Sequence, residues 1–547
     1  MTKLSDWQEV VRGKLAQQQA QIPAEWHVDP TEALNVLDVP RSSGILSEEE
    51  LIITETPMSV LLDNLASGKV SSEKVTLAFC KRAAIAHQLV NCLTEILFDR
   101  ALTTARELDV HLASTGQTKG PLHGLPVSLK DTFRIPGVDS TIGFVAYANE
   151  PEPEGSESEI TRIVRESGGV LFCKTNVPTA MMMSETYNNL FGFTSNPYNR
   201  NLSSGGSSGG EGALIALRGS PLGVGTDIGG SIRIPASFCG LYSLKPSFGR
   251  FPTLGAKAGL PGQEAVKSVN GPMANDLDSL ELFAQAVLST KPWERDPNVL
   301  PIPWRKVEVS GKKLAFGLIR DNGHLRPTPP VERALGIVKA ALEAQGHVVI
   351  DFVPYRAQYS MGLLERLFGG DGGKHIHDLI VRSGEPWTEG LKLFKAAYEA
   401  RKGNPALASD LWALQAERAV YAKEALEHWR ATAASTGTGR PVDGVISPVT
   451  PWAASPRYKF GGDVSYTSVW NILDQPGVTF PVTFVGDNAV DEKPAYTARN
   501  EWEKFVWDNY DHTEQVGAPV VLQVVGPKLE DERTLALARV VADSLSE

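Results

Sequence analysis

Ser203-Ser204-Gly205-Gly206-Ser207-Ser208-Gly209-Gly210-Glu211-Gly212 opens the stretch that decides how this chain is read, and Gly223-Val224-Gly225-Thr226-Asp227-Ile228-Gly229-Gly230-Ser231-Ile232-Arg233 closes it. Between them an Ala/Leu-rich run to Gly219 reads as one short apolar helix. Glycine, lacking a Cβ, lets backbone approach closely and permits the positive φ of tight anion-binding turns. The pattern is that of two hydroxyl-bearing loops, joined by a helix and a short strand, facing one pocket. Upstream, Leu125-Pro126-Val127-Ser128-Leu129-Lys130-Asp131 is an apolar strand-like run that ends in a lysine.

Each stretch has a bland reading. A Gly-Gly-Ser turn is ordinary, a Gly/Ser run is often a flexible linker, and a lysine ending a strand is usually a surface residue. The apolar helix directly after Ser208 argues against the linker. Taken together and in this order, the three stretches closely resemble the amidase signature family, whose members hydrolyse amides with a Ser–Ser–Lys triad. Within it the likeness is to fungal acetamidase-like members, from about residue 57 to the C-terminus.

That resemblance implies an α/β fold with a mixed central sheet flanked by helices. It implies Ser231 as nucleophile, Lys130 as base, and Ser207, on a cis peptide, as the hydroxyl that passes a proton between them. The amides of Ile228, Gly229, Gly230 and Ser231 are expected to form an oxyanion hole. One such donor is worth about 3–4 kcal/mol of transition-state stabilisation. Ser208, Asp227 and Arg233 are supporting residues; Asp227 and Arg233 flank the nucleophile and are expected to pair and hold its loop. Met181 matches a position lining the family's acyl pocket, although methionine is also a common core filler. The substrate implied is a small primary amide, with fatty or aryl amides as the alternative; a homodimer rests on analogy alone.

The chemistry makes a demand on Lys130. With an ordinary pKa near 10.4, roughly one lysine in 2,500 is neutral at pH 7. Service as a base near neutrality needs a shift of about three units. Burial among Val127, Leu129 and Phe133 is the available cause. A Ser–Lys arrangement of this kind needs no histidine, no metal and no cofactor.

Composition bounds the rest. The 547 residues exceed one typical core, and 42% hydrophobic with 21% charged residues is ordinary for a globular enzyme. A formal charge of −11 and no basic stripe argue against nucleic acid as a partner. No apolar run approaches the roughly 20 residues of a membrane span, and the polar first 24 residues lack the apolar core of a secretory signal. Cys80, Cys92, Cys173 and Cys239 are dispersed, which reads as reduced thiols and a cytoplasmic protein.

Along the chain, residues 1–115 read as a mainly helical region packed on a core formed by 116–547. Helices are expected at 3–20, from 47, at 57–67, 72–86 and 99–114. From 123 strands and helices alternate: strands at 125–129, 169–174 and 222–226, helices at 160–166, 208–217 and 276–287. A Pro-rich loop, 291–309, precedes a second strand–helix–strand unit at 314–319, 331–344 and 347–353. Residues 355–435 read as a helical cap or insertion, either packing or a lid. Strands at 443–447 and 520–525 and a helix at 530–544 close the chain; residues 474–481 resemble a core-closing loop and 517–526 the last strand.

Other functions are poorly served. His375, His377 and Asp378 lack a further metal-ligand motif. Cys239 sits in an apolar context that suits a buried thiol rather than a nucleophile. Neither the Gly-x-x-x-x-Gly-Lys-Ser/Thr nor the Gly-x-Gly-x-x-Gly signature of phosphate-binding loops is present. The amidase-like subunit of a tRNA-dependent amidotransferase shares the triad; the acidic charge and the acetamidase likeness count against it. An inactive binding module is disfavoured because all three triad positions keep competent side chains.

Overall fold

The computed structural model describes residues 6–309, 311–487 and 489–545; positions 3–5 of the expected first helix lie outside them. The strands are β1 (Leu93–Ile96), β2 (Pro126–Lys130) and β3 (Val170–Thr175). Two small ribbons follow, β4 (Tyr187–Asn188) with β5 (Gly192–Phe193) and β6 (Ser195–Asn196) with β7 (Asn199–Ser203). Then come β8 (Leu222–Asp227), β9 (Tyr242–Lys245), β10 (Val269–Ala274), β11 (Ala315–Leu318), β12 (Val348–Asp351), β13 (Gly444–Pro448), β14 (Gly477–Phe484) and β15 (Pro519–Val525). Among the described residues eleven strands form one sheet, ordered β1-β3-β2-β8-β10-β9-β14-β15-β13-β11-β12.

The sheet is mixed. β2 runs parallel to β3 and β8, and β11 parallel to β12 and β13. The strands between those two groups pair antiparallel. Because β2 and β8 are parallel neighbours, in the register Ser128–Gly223 and Leu129–Val224, their C-terminal ends emerge at the same edge of the sheet. Lys130 ends one and the loop carrying Ser231 follows the other. In α/β sheets ligands bind outside the carboxyl ends of strands, and this shared edge is where the site forms.

The N-terminal helices follow from their caps and stripes. Ser47 and Glu50 make a capping box for Glu48–Glu55. The Ser71 hydroxyl accepts from the Lys74 amide to start Ser72–Val90, which stops at Asn91 in the left-handed region. That helix buries Val75, Phe79, Ala83 and Ala86. Helix Trp7–Ala20 is tied down by Lys14, whose Nζ lies 2.7 Å from both Glu95 and Asp139, and by Gln18, which donates to the Leu93 and Thr94 carbonyls.

The expected α/β architecture is observed; edge strand β1 and the two small ribbons were not expected, and the centre of the sheet also differs. Residues 474–481, read as a closing loop, lead into β14, which sits inside the sheet between β9 and β15. The central strands β9 and β10 were not expected at all. β10 runs Val269-Asn270-Gly271-Pro272-Met273-Ala274, and its Gly-Pro pair masks a fully buried strand. Between 357 and 434 the chain is mainly helical, with Ala408–Ala431 the longest element.

Candidate active site

Lys130 is wholly buried, and its ammonium nitrogen has three oxygen neighbours. Nζ lies 2.8 Å from Ser207 Oγ, 2.7 Å from Thr226 Oγ1 and 3.4 Å from the Thr226 carbonyl. No carboxylate is within ion-pair distance of it among the described residues. Burial therefore pushes its pKa from 10.5 down to about 7, against the opposing pull of Asp227 and Glu211. The side chain is thus an amine close to its neutral form at neutral pH, in hydrogen-bond contact with a serine.

Ser207 sits between β7 and helix Gly209–Ala216, on a cis peptide following Gly206. Ser208 begins the helix; its amide donates to the Ser231 carbonyl at 3.1 Å, which ties the two serine loops together. The Ser208 hydroxyl is buried and has no partner among the described residues. Ser231 precedes helix Arg233–Phe238, and its hydroxyl makes no hydrogen bond to the protein among the described residues. Ser207, Thr226, Ile228 and Ser231 together line a cavity of about 210 Å³.

The turn before Ser231 is held from below. Asp227 accepts from the Gly230 amide at 2.8 Å, the Ile232 amide at 3.2 Å and Asn471 Nδ2 at 2.8 Å. Arg233 forks onto the same carboxylate, Nε to Oδ2 at 3.0 Å and Nη2 to Oδ1 at 3.1 Å. Both side chains are fully buried. Burial would raise the Asp227 pKa, but the guanidinium, Lys245 and Asn471 outweigh it and hold the carboxyl well below the usual carboxylate range. Arg233 also reaches Gln523 on β15 and Asn471 in helix Ser465–Ile472. The pairing expected of Asp227 and Arg233 is present, and it fastens the turn to the sheet and to a distant helix.

Four amides were expected to face a developing oxyanion. That of Gly230 is given to Asp227. Those of Ile228, Gly229 and Ser231 have no acceptor among the described residues, and Ile228 and Ser231 line the cavity. Gly230 itself adopts φ +137°, and a Cβ there would come within 2.5 Å of Thr467 Oγ1, so only glycine fits. Thr467 in turn donates to the Gly229 carbonyl at 2.6 Å.

Met181 lines the same cavity, with Met182, Leu260 and Phe248. Met181 and its neighbour Ala180 both have positive φ, 57° and 61°, an uncommon conformation for non-glycine residues. Two lysines also line it, each with a carboxylate: Lys257 lies 3.1 Å from Glu152, and Lys267 pairs with Glu264. His375 and His377 belong to helix Lys374–Ser383, and no group of acids, thiols and histidines suited to a metal ion occurs among the described residues. Cys239 is buried, and burial raises its thiol far above the ordinary range.

Sequence reasoning passed over Thr226, although it stands beside Asp227 in the decisive stretch, and Glu211, an acid within an otherwise apolar helix. Thr467, Asn471 and Gln523 carry no signal in sequence; only the fold brings them to the turn.

Comparison with known proteins identifies the family. The amidase family model matches residues 74–535. An acetamidase of Aspergillus oryzae is 40% identical over 555 aligned residues, covering 99% of each chain. An acetamidase of Emericella nidulans is 41% identical over 550, covering 98% of each. A solved structure of a fatty acid amide hydrolase is 33% identical and superposes with a TM-score of 0.92, covering 99% of this chain and 96% of that one. Matched by the family model over most of its length and by such relatives over nearly all of it, the chain belongs to the amidase signature family of carbon–nitrogen hydrolases.

Proposed function

We propose that this enzyme hydrolyses neutral carboxylic amides through an acyl-enzyme on Ser231. The observation that carries the reading is the 2.8 Å contact between Lys130 Nζ and Ser207 Oγ, made by a buried amine beside the cavity that Ser231 lines. In this reading Ser231 Oγ attacks the amide carbonyl as its proton passes to Ser207, whose own proton passes to Lys130. The carbonyl oxygen gains charge facing the amides of Ile228, Gly229 and Ser231, while Gly230 and Asp227 keep that turn in shape. Collapse breaks the C–N bond as the proton returns through Ser207 to the leaving nitrogen. Water then attacks the ester by the same relay, releasing the acid.

The substrates favoured are small primary amides, by likeness to the acetamidases. Neutrality follows from the two cavity lysines, each already offset by a carboxylate. One observation favours a second reading within the same chemistry. The 210 Å³ cavity, with Met181, Met182, Leu260 and Phe248 on its wall, has room for an acyl group longer than acetyl, including aryl or fatty acyl groups. The test is acid release from acetamide, hexanamide, benzamide, a long-chain amide and an anilide. The preferred member sizes the pocket; no turnover of any of them by folded protein would overturn the reading.

A further inference from the structure

Glu211 stands on the first turn of helix Gly209–Ala216, four residues after Ser207, and its side chain is entirely buried. Its carboxyl reaches the sheet beneath. Oε2 lies 2.5 Å from Ser128 Oγ on β2, and Oε1 accepts from Thr175 Oγ1 on β3 at 2.9 Å. Room for it exists because β8 carries glycine opposite: a Cβ at Gly223 would sit 2.0 Å from Oε2. Among the described residues two hydroxyls are its whole hydrogen-bonding shell, with no amide, guanidinium or ammonium donor.

Other fully buried acids in this protein have backbone amides or a cation as partners: Asp296 accepts from the Thr253 and Leu254 amides. Asp131 lies 3.0 Å from Lys174, and Asp227 lies 3.0 Å from Arg233. An ionised carboxylate without such a partner is costly to bury, and such groups take up a proton instead. The 2.5 Å contact with Ser128 serves that form, since a protonated Oε2 donates to Ser128 Oγ while Thr175 still donates to Oε1.

We propose that Glu211 is held as a neutral carboxylic acid, and that its neutrality keeps Lys130, on the adjoining strand, a free amine. A carboxylate at this place would draw a proton onto Lys130 and so remove the base. Glu211 is in this sense a positioning residue: it touches neither substrate nor the serines, and it neither gains nor loses a proton in the cycle. The inference rests on the function proposed above.

Among the described residues no other group does this. Of the titratable side chains on the elements packed against this helix, Lys174 on β3 is engaged with Asp131 and the Asp139 carbonyl. Arg82 on helix Ser72–Val90 is bound to the Leu217 carbonyl and Thr54, and Asp227 and Arg233 hold each other. Cys92, Cys173 and Cys239 are buried thiols. Burial raises the Glu211 carboxyl to about 8, against the two hydroxyls and Lys130, in line with the geometry.

Glu211→Gln is the isostere of the neutral acid and provides the test. Its kcat/KM–pH profile, on the amide turned over fastest, is expected to keep the acid limb of wild type. A limb displaced downward by about 1–3 pH units, the usual effect of deleting an opposite charge beside a base, would show Glu211 to be an ionised counter-charge and overturn the proposal. Stability gives a reading independent of turnover. A carboxyl whose folded pKa is raised loses stability as pH rises from its unfolded value through the folded one. The Tm of E211Q should therefore gain on wild type between pH 5 and 9, a window set by the ordinary 4.5 and the raised value of about 8. The contribution of Lys130 is common to both proteins and cancels. Parallel Tm curves would overturn the proposal. Should E211Q not fold, Thr175→Val keeps the acid and removes one donor, and its loss of Tm with rising pH should continue to higher pH than in wild type; superposable curves would refute the inference. Ser231→Ala, assayed alongside, separates the two failures: activity retained there sinks the proposed function, whereas a silent S231A with a shifted E211Q limb sinks only the role of Glu211.

Discussion

Lys130 Nζ stands 2.8 Å from Ser207 Oγ, and neither side chain reaches solvent. A lysine in that position carries the cost of desolvation whenever it is charged, and the same cost makes it a base near neutrality. Activity and stability should therefore both report on this one group.

In wild type, kcat/KM should fall tenfold per pH unit on the acid side, with an apparent pKa near the 7 to which burial brings Lys130. A profile flat from pH 8 down to 5 would show that no such base is needed.

Lys130→Met should lower kcat by about 10²–10⁴. Its effect on stability has a definite sign. The folded protein holds this lysine neutral down to about 7, whereas the unfolded chain protonates it below 10.5, so wild type gains stability as pH rises across that window. The variant lacks that term. The Tm difference, variant minus wild type, should be most favourable to the variant near pH 7 and shrink toward pH 10; a difference independent of pH would contradict the buried neutral amine.

Arg233→Met removes one partner of a buried pair and leaves Asp227 uncompensated. Such a change costs about 3–5 kcal/mol, measurable by urea unfolding. Asp227→Asn with Arg233→Met should cost less than the sum of the two single changes, and strict additivity would mean that the two side chains do not act as a unit.

Gly230 and Gly229 are adjacent and should respond oppositely. At Gly230 a Cβ meets Thr467 Oγ1 at 2.5 Å with φ at +137°; at Gly229 it meets nothing within 4 Å. Gly230→Ala should cost about 1–3 kcal/mol and disable turnover, while Gly229→Ala should unfold within about 0.5 kcal/mol of wild type. Equal stabilities for the two variants would refute the packing of this turn.

The architecture was largely legible because its determinants are local. The lysine-ended apolar run, the glycine-dense serine loops and the caps at Ser47 and Ser71 each announce themselves within a few residues. What escaped depends on partners far along the chain. β10 contains Pro272 and reads as a loop until its two neighbours are known, and β14 was hidden by Pro476 and Pro481 at its ends and middle. The expected oxyanion donors illustrate the same limit: the Gly-Gly-Ser turn implies four amides, and only the fold shows that Gly230 gives its own to Asp227. Likewise Glu211 is a plain helical acid in sequence, and that no cation among the described residues lies within ion-pair distance of it appears only when β2, β3 and β8 lie beneath it.

The central claim is that Ser231 is the atom that attacks. The most direct measurement is acid release by wild type and Ser231→Ala across the amide panel, with circular dichroism to establish that both are folded. The account predicts that wild type turns over at least one amide and that the folded variant turns over none. A folded Ser231→Ala that releases acid at a rate close to wild type would contradict it.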